Sequence, residues 1–127
     1  MTEIPAAIGA LTLFVEDLPT AKAFYQAVFS LPVHYEDDAS VVFKFGSTLV
    51  NLLRVAEAPE LVAPVRVAAR EAGVRFQLTI NVEDVDAAVA VLLDRGATLL
   101  NGPIDRPWGV RTASFRDPGG HVWEIAG

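Results

Sequence analysis

The chain has 127 residues and no cysteine, so it is long enough for a domain with its own core but holds no disulfide, thiolate metal ligand or cysteine nucleophile. Hydrophobic residues make up 52%, which argues against a disordered chain. The formal charge is −6 with acids and bases interspersed, so the basic stripe that nucleic acid needs is missing. Met1-Thr2-Glu3-Ile4-Pro5 has no basic leader, and the apolar stretch up to Val15 is too short to cross a bilayer. The expectation is a cytoplasmic protein with no nucleic-acid and no membrane partner.

Ile8 to Val15 is apolar and β-prone, and Glu16-Asp17 ends it. Pro19 suits a first helical position, with Asp17 as its acidic cap. Leu18, Ala21, Phe24, Tyr25 and Val28 then recur at helical spacing, which predicts a helix over about residues 19–29 that Pro32 stops. Short strands follow at Val33 to Glu36, Val41 to Phe45 and Thr48 to Val55, with turns at Asp37-Asp38 and Gly46-Ser47.

The pattern then repeats. Val15-Glu16-Asp17 returns as Val82-Glu83-Asp84, and Leu18, Ala21 and Tyr25 return as Val85, Ala88 and Leu92. Phe76 to Val82 reads as a strand. Val85, Ala88, Val89, Leu92 and Leu93 form a helical stripe closed by Gly96. Three more strands fit Thr98 to Leu100, Val110 to Phe115 and His121 to Ala126. The order strand, helix, three strands occurs twice, which predicts two modules in a single domain, about 6–55 and about 75–127. The connector, about 56–74, reads as a plain crossover rather than a lid or swap arm, and Val65 to Ala72 has room for two helical turns.

Alternation assigns faces. Leu11, Leu13 and Val15 point toward the helix, and Ala10, Thr12 and Phe14 point away. In the second module Leu78, Ile80 and Val82 point toward the helix, and Gln77, Thr79 and Asn81 away. Leu49, Asn51 and Leu53 share one side of their strand. Asp117-Pro118-Gly119-Gly120 is a tight turn, and the strand after it aims Glu124 away from Trp123 and Ile125. One side of the sheet thus mixes aromatic, amide, hydroxyl and carboxylate groups, as a curved sheet around a cavity would.

Other candidates stay open. Trp108 is either core or an aromatic wall at the cavity mouth. Arg111 is either a clamp for an anion or carbonyl or a surface charge. Glu124 is either a base or cation-binding anion in the cup, or the salt-bridge partner of Arg111. His34 and His121 lack metal-ligand spacing and read as structural or surface residues.

Leu11 to Leu18 with Phe24-Tyr25, Ile80 to Ala88, and the run from Trp108 through Asp117-Pro118-Gly119-Gly120 to Ile125 resemble the vicinal oxygen chelate superfamily. Its members include glyoxalase I, the bleomycin resistance proteins and the type I extradiol dioxygenases. The resemblance implies an α+β fold of two βαβββ modules whose curved mixed sheets surround a cavity, usually in a homodimer. It also implies four metal-ligand positions, one per strand, which here hold Ala10, Asn51, Gln77 and Glu124. One carboxylate and two amides fall short of the three or four good donors of a divalent site. The expectation is a small-molecule, antibiotic-type binding protein with no metal cofactor, its cavity lined by Phe14, Phe43, Asn51, Gln77, Trp108, Arg111 and Glu124. The second reading is a lyase, isomerase or dioxygenase that holds a divalent metal with Gln77, Glu124 and waters, or uses Glu124 alone as catalytic base. A third is a module that acts only by pairing with a partner protein.

Overall fold

The computed structural model describes residues 2–127. The first module runs β1 (Ala10–Val15), α1 (Leu18–Val28), β2 (Tyr35–Glu36), β3 (Ser40–Phe45) and β4 (Thr48–Arg54). The connector holds a 3₁₀ turn (Val55–Glu57), the short helix α2 (Pro59–Val62) and a second 3₁₀ turn (Arg70–Ala72). The second module runs β5 (Gln77–Asn81), α3 (Val85–Asp94), β6 (Leu99–Asp105), β7 (Arg111–Arg116) and β8 (Val122–Ala126). Each module makes one four-stranded mixed sheet, in the orders β1-β4-β3-β2 and β5-β8-β7-β6. β1 lies parallel to β4 and β5 parallel to β8, because a helical crossover joins each first strand to the rest of its sheet.

The repeated Val-Glu-Asp does the same work twice. The Asp17 carboxylate accepts the Thr20 amide at 3.0 Å, and the Asp84 carboxylate accepts the Ala87 amide at 3.0 Å. Each satisfies a donor that the first helical turn leaves free. The Thr20 amide holds the Asp17 carboxyl below the usual carboxylate range. At the far end of α3, Gly96 takes φ +103°, and the Ala97 amide returns to the Leu92 carbonyl at 2.9 Å.

α1 buries Leu18, Ala21, Tyr25 and Val28, and α3 buries Val85, Val89 and Leu92. Leu93 is exposed, contrary to the expected stripe, because it sits one step of about 100° beyond Leu92 on the helix surface. The expected helical turns over Val65 to Ala72 do not form, apart from the 3₁₀ turn at the end. That stretch has no capping side chain ahead of it, and Val65 and Val67 are β-branched. A segment so short needs packing to be helical, and most of its residues are exposed.

The two sheets meet through their helix-side faces. α1 and the residue after it supply Tyr25 and Phe29, β3 supplies Phe43 and Phe45, and the second module supplies Phe115 and Trp123. Tyr25 stacks on Phe43 with centroids 5.6 Å apart and meets the Trp123 ring edge-on at 6.0 Å. Phe29 and Phe45 lie 4.7 and 5.2 Å from Trp123. Residues of both modules join in one hydrophobic cluster.

One polar group lies at the heart of this cluster. Asp117 opens the turn that Gly120 closes with φ +91°, yet its side chain is fully buried. The Tyr25 hydroxyl donates to Asp117 Oδ2 at 2.6 Å, and Trp123 Nε1 donates to the Tyr25 oxygen at 3.0 Å. The His121 amide donates to Asp117 Oδ1 at 2.9 Å, with the imidazole Nδ1 3.0 Å from Oδ2. Burial first, and the Asp117 carboxylate second, push the Tyr25 phenol far above the ordinary tyrosine range.

Tyr25→Phe removes a hydrogen bond to the buried Asp117 carboxylate, leaves Trp123 Nε1 without its acceptor and should cost about 1–3 kcal/mol in urea unfolding. Because the folded-state pKa of Tyr25 is raised, its contribution is intact below about pH 10 and declines as the unfolded phenol ionises above that. Unfolding curves between neutral and strongly alkaline pH should therefore fall more steeply for the native chain than for Tyr25→Phe. Equal slopes would place the Tyr25 hydroxyl outside the buried network.

Candidate functional site

Strand register sorts every side chain to the inner, helix-side face or to the outer face of its sheet. Thr12, Asn51 and Val42 form one cross-strand row of the first sheet, and Phe14, Leu53 and Ser40 form the next. Their neighbours Leu13, Leu52 and Val41 are buried in the core, so both rows lie on the outer face. In the second sheet Thr79, Glu124 and Ser114 form a row, flanked by the buried Trp123 and Phe115, and this row is outer as well.

The second outer face is a polar floor. Thr79 Oγ1 donates to Glu124 Oε1 at 2.9 Å, and Gln77 Nε2 donates to Ser114 Oγ at 3.4 Å. Arg106, from the β6–β7 loop, donates through Nε to Thr112 Oγ1 at 2.8 Å and through Nη2 to Asn101 Oδ1 at 3.2 Å. On the first outer face Asn51 Oδ1 is buried and has no donor. A buried acceptor left unpaired is uncommon and costly, so a turn of the side chain that brought this oxygen to an N–H or O–H would relieve it.

Ala10, Asn51, Gln77 and Glu124 all lie on outer faces, as alternation predicts. They nevertheless do not converge within one chain. The sheets pack inner face to inner face, which turns the Ala10–Asn51 pair away from the Gln77–Glu124 pair. Among the described residues no three His, Cys, Asp or Glu side chains gather as metal ligands would. The donors themselves do not fit a divalent ion: Ala10 has none, and Asn51 and Gln77 are neutral amides.

Two expected lining residues belong elsewhere. Phe43 is 0% exposed and stacks on Tyr25 in the core. Its strand, Ser40-Val41-Val42-Phe43-Lys44-Phe45, has apolar residues at both parities, so alternation alone could not orient it. Arg111 shares the parity of Ala113 and Phe115 and therefore points to the α3 side. There its Nη2 lies 3.0 Å from Asp86 and its Nη1 3.1 Å from Asp105. Those two carboxylates, Asp86 foremost, raise its already high pKa. Arg111 is thus neither a clamp on the Glu124 face nor the partner of Glu124, whose contact is Thr79.

Trp108 is 70% exposed in the β6–β7 loop and is not core. Phe14 is half-buried on the first outer face. His121 is held by Asp117, and the His34 amide donates to the Val42 carbonyl at 2.8 Å. The sequence reading missed Ser114, Thr112 and Arg106. The first two were available from alternation, since they oppose the apolar Ala113 and Phe115. Arg106 sits in a loop, where no periodicity announces it.

The family model of the Glyoxalase/Bleomycin resistance protein/Dioxygenase superfamily matches residues 7–125. YraH, an uncharacterized protein of Bacillus subtilis (strain 168), is 32% identical over 119 residues, spanning 91% of this chain and 93% of YraH. The crystal structure of a glyoxalase/bleomycin resistance protein/dioxygenase from Nocardioides superposes with a TM-score of 0.86 at 22% identity, covering 98% of this chain and 85% of the other. A glyoxalase-related enzyme from Fulvimarina pelagi superposes with a TM-score of 0.83 at 25% identity, covering 96% and 88%. With every strand and helix of both βαβββ modules matched but for the last residue of β8, the chain belongs to the glyoxalase/bleomycin resistance protein/dioxygenase superfamily.

Proposed function

We propose that this chain is a metal-free binding protein for a small organic molecule, and that it works as a homodimer. The first outer face of one copy meets the second outer face of its partner and closes a cavity that neither copy has alone. The observation that carries this reading is the unpaired, buried Asn51 Oδ1. Turned outward on ligand binding, it accepts a donor on the ligand. Glu124, oriented by Thr79, takes a cationic or hydrogen-donating group from the opposite wall. Phe14 and Leu49 give an apolar or aromatic body its contact area, and Gln77 adds an amide. An antibiotic with amine and amide groups on a partly aromatic frame has this chemistry.

The edges of the sheets support pairing. β1 and β5 each have a strand partner on one side only. An apolar cleft of about 590 Å³, lined by Leu11, Phe45, Leu78, Ile80 and Trp123 among others, opens between them. A second copy would cover both the strand edges and this cleft.

Sedimentation equilibrium should find two chains per particle. A thermal-shift screen of amine-bearing aromatic antibiotics should find a stabilising ligand, with a gain of about 2.7 kcal/mol at one hundred times its Kd. Asn51→Leu and Glu124→Gln should each weaken that ligand at least about tenfold, the equivalent of 1.4 kcal/mol. A monomer with no ligand in the screen would defeat the proposal.

Equilibration with Zn²⁺, Ni²⁺, Mn²⁺ or Fe²⁺ followed by metal analysis should leave none bound at one per chain. A stoichiometric metal lost on Glu124→Ala would instead favour a lyase, isomerase or dioxygenase.

A further inference from the structure

The connector roofs a groove of about 460 Å³, bounded by residues 62–76 on one side and the Gly119-Gly120-His121 turn on the other. Phe14 and Phe76 supply its aromatic walls, and Arg66, Arg70 and Arg75 line it as well. Three of the ten basic residues thus fall within ten positions of the chain. Glu16 is the one acidic side chain on the groove wall, while Asp17 and Glu71 lie with Arg70 in the adjoining pocket.

Among the described residues the ion pairs are Lys22–Glu36, Arg111–Asp86, Arg111–Asp105 and His121–Asp117. None engages Arg66, Arg70 or Arg75. In a chain of net charge −6 the groove wall sets three arginines against one carboxylate, and none of the three is ion-paired among the described residues. Like charges held close repel unless an anion sits among them.

Arg70 is held in place. Its Nε donates to the Pro118 carbonyl at 2.8 Å. A Cβ on Gly120 would come within 2.9 Å of the Arg70 Cγ, so the glycine leaves room for the arginine stem. With Nε committed to a neutral carbonyl, the guanidinium keeps its charge and the N–H donors of its two terminal nitrogens for another partner. A guanidinium offers paired donors that match the oxygens of a carboxylate or phosphate. The groove volume suits a small organic molecule.

We propose that this groove is a second binding site, for an organic anion: a carboxylate or phosphate on an aromatic or aliphatic body. The arginines hold the anionic head, and Phe14 and Phe76 hold the body. The site shares only Phe14 with the cavity described above and uses neither Asn51 nor Glu124.

The test is isothermal titration calorimetry of the full chain with phenyl phosphate, phenylacetate and the neutral benzyl alcohol, at low and high salt. One or both anions should bind saturably at one per chain, more weakly at high salt, and benzyl alcohol should not. The anion that binds identifies the head group. Arg66→Gln with Arg75→Gln, both at exposed positions, should weaken binding at least about tenfold, and lysine at both should restore part of it. Asn51→Leu should leave anion binding unaltered. Saturation by neither anion, equal affinity in the double glutamine variant, or loss of anion binding in Asn51→Leu would each overturn the proposal, the last by placing the anion on the outer face.

Discussion

The buried carboxylate of Asp117 is the contact on which the arrangement of the two modules depends. It lies on the second module's turn, and its strongest partner, the Tyr25 hydroxyl, lies on the first module's helix. A charge in that position is tolerable only with its oxygens satisfied, and Tyr25, the His121 amide and the His121 ring satisfy them. The apolar contacts around it have no preferred register of their own. The hydrogen bonds do, and they set how α1 lies against β8. Trp123 extends the network by one bond and brings its ring into the aromatic cluster.

That inner-face packing decides where each candidate site residue stands. Once the helix-side faces are used against each other, the polar side chains are displayed on two outer faces that point apart. In the proposed dimer each face is half of a lining. The first contributes an apolar surface with one unpaired amide oxygen, and the second a hydrogen-bonded floor of Gln77, Thr79, Ser114, Glu124 and Arg106. The two halves are complementary, since one lacks a donor that a ligand can bring and the other offers a carboxylate that a ligand can pair. The connector adds a third surface of opposite charge character, basic where the chain as a whole is acidic.

Much of this was legible in the residue pattern. The Val-Glu-Asp repeat marked both helix starts because an Asp cap acts within three residues. The parity of β1, β4, β5 and β8 was readable because each has its apolar residues on one alternation phase or a neighbour that settles it. β3 was not, because Val41, Val42 and Phe43 run together. Arg111 was readable in principle: the apolar Ala113 and Phe115 of the same phase already committed it to the helix side, where Asp86 waited. The Asp117 turn was seen, but nothing local distinguishes a turn aspartate in water from one buried against a tyrosine 92 positions away.

The sequence by itself determined the elements, the doubled module and the side of each strand on which Asn51, Gln77 and Glu124 stand. These depend on interactions between residues a few positions apart, in helix caps, turns and the two-residue period of a strand. Only the tertiary structure decided which faces meet. That choice rests on Tyr25, Phe29, Phe45, Asp117 and Trp123 coming together from distant positions, and no short-range pattern encodes it. It separates the four expected ligand positions into two pairs and buries Phe43 against Tyr25.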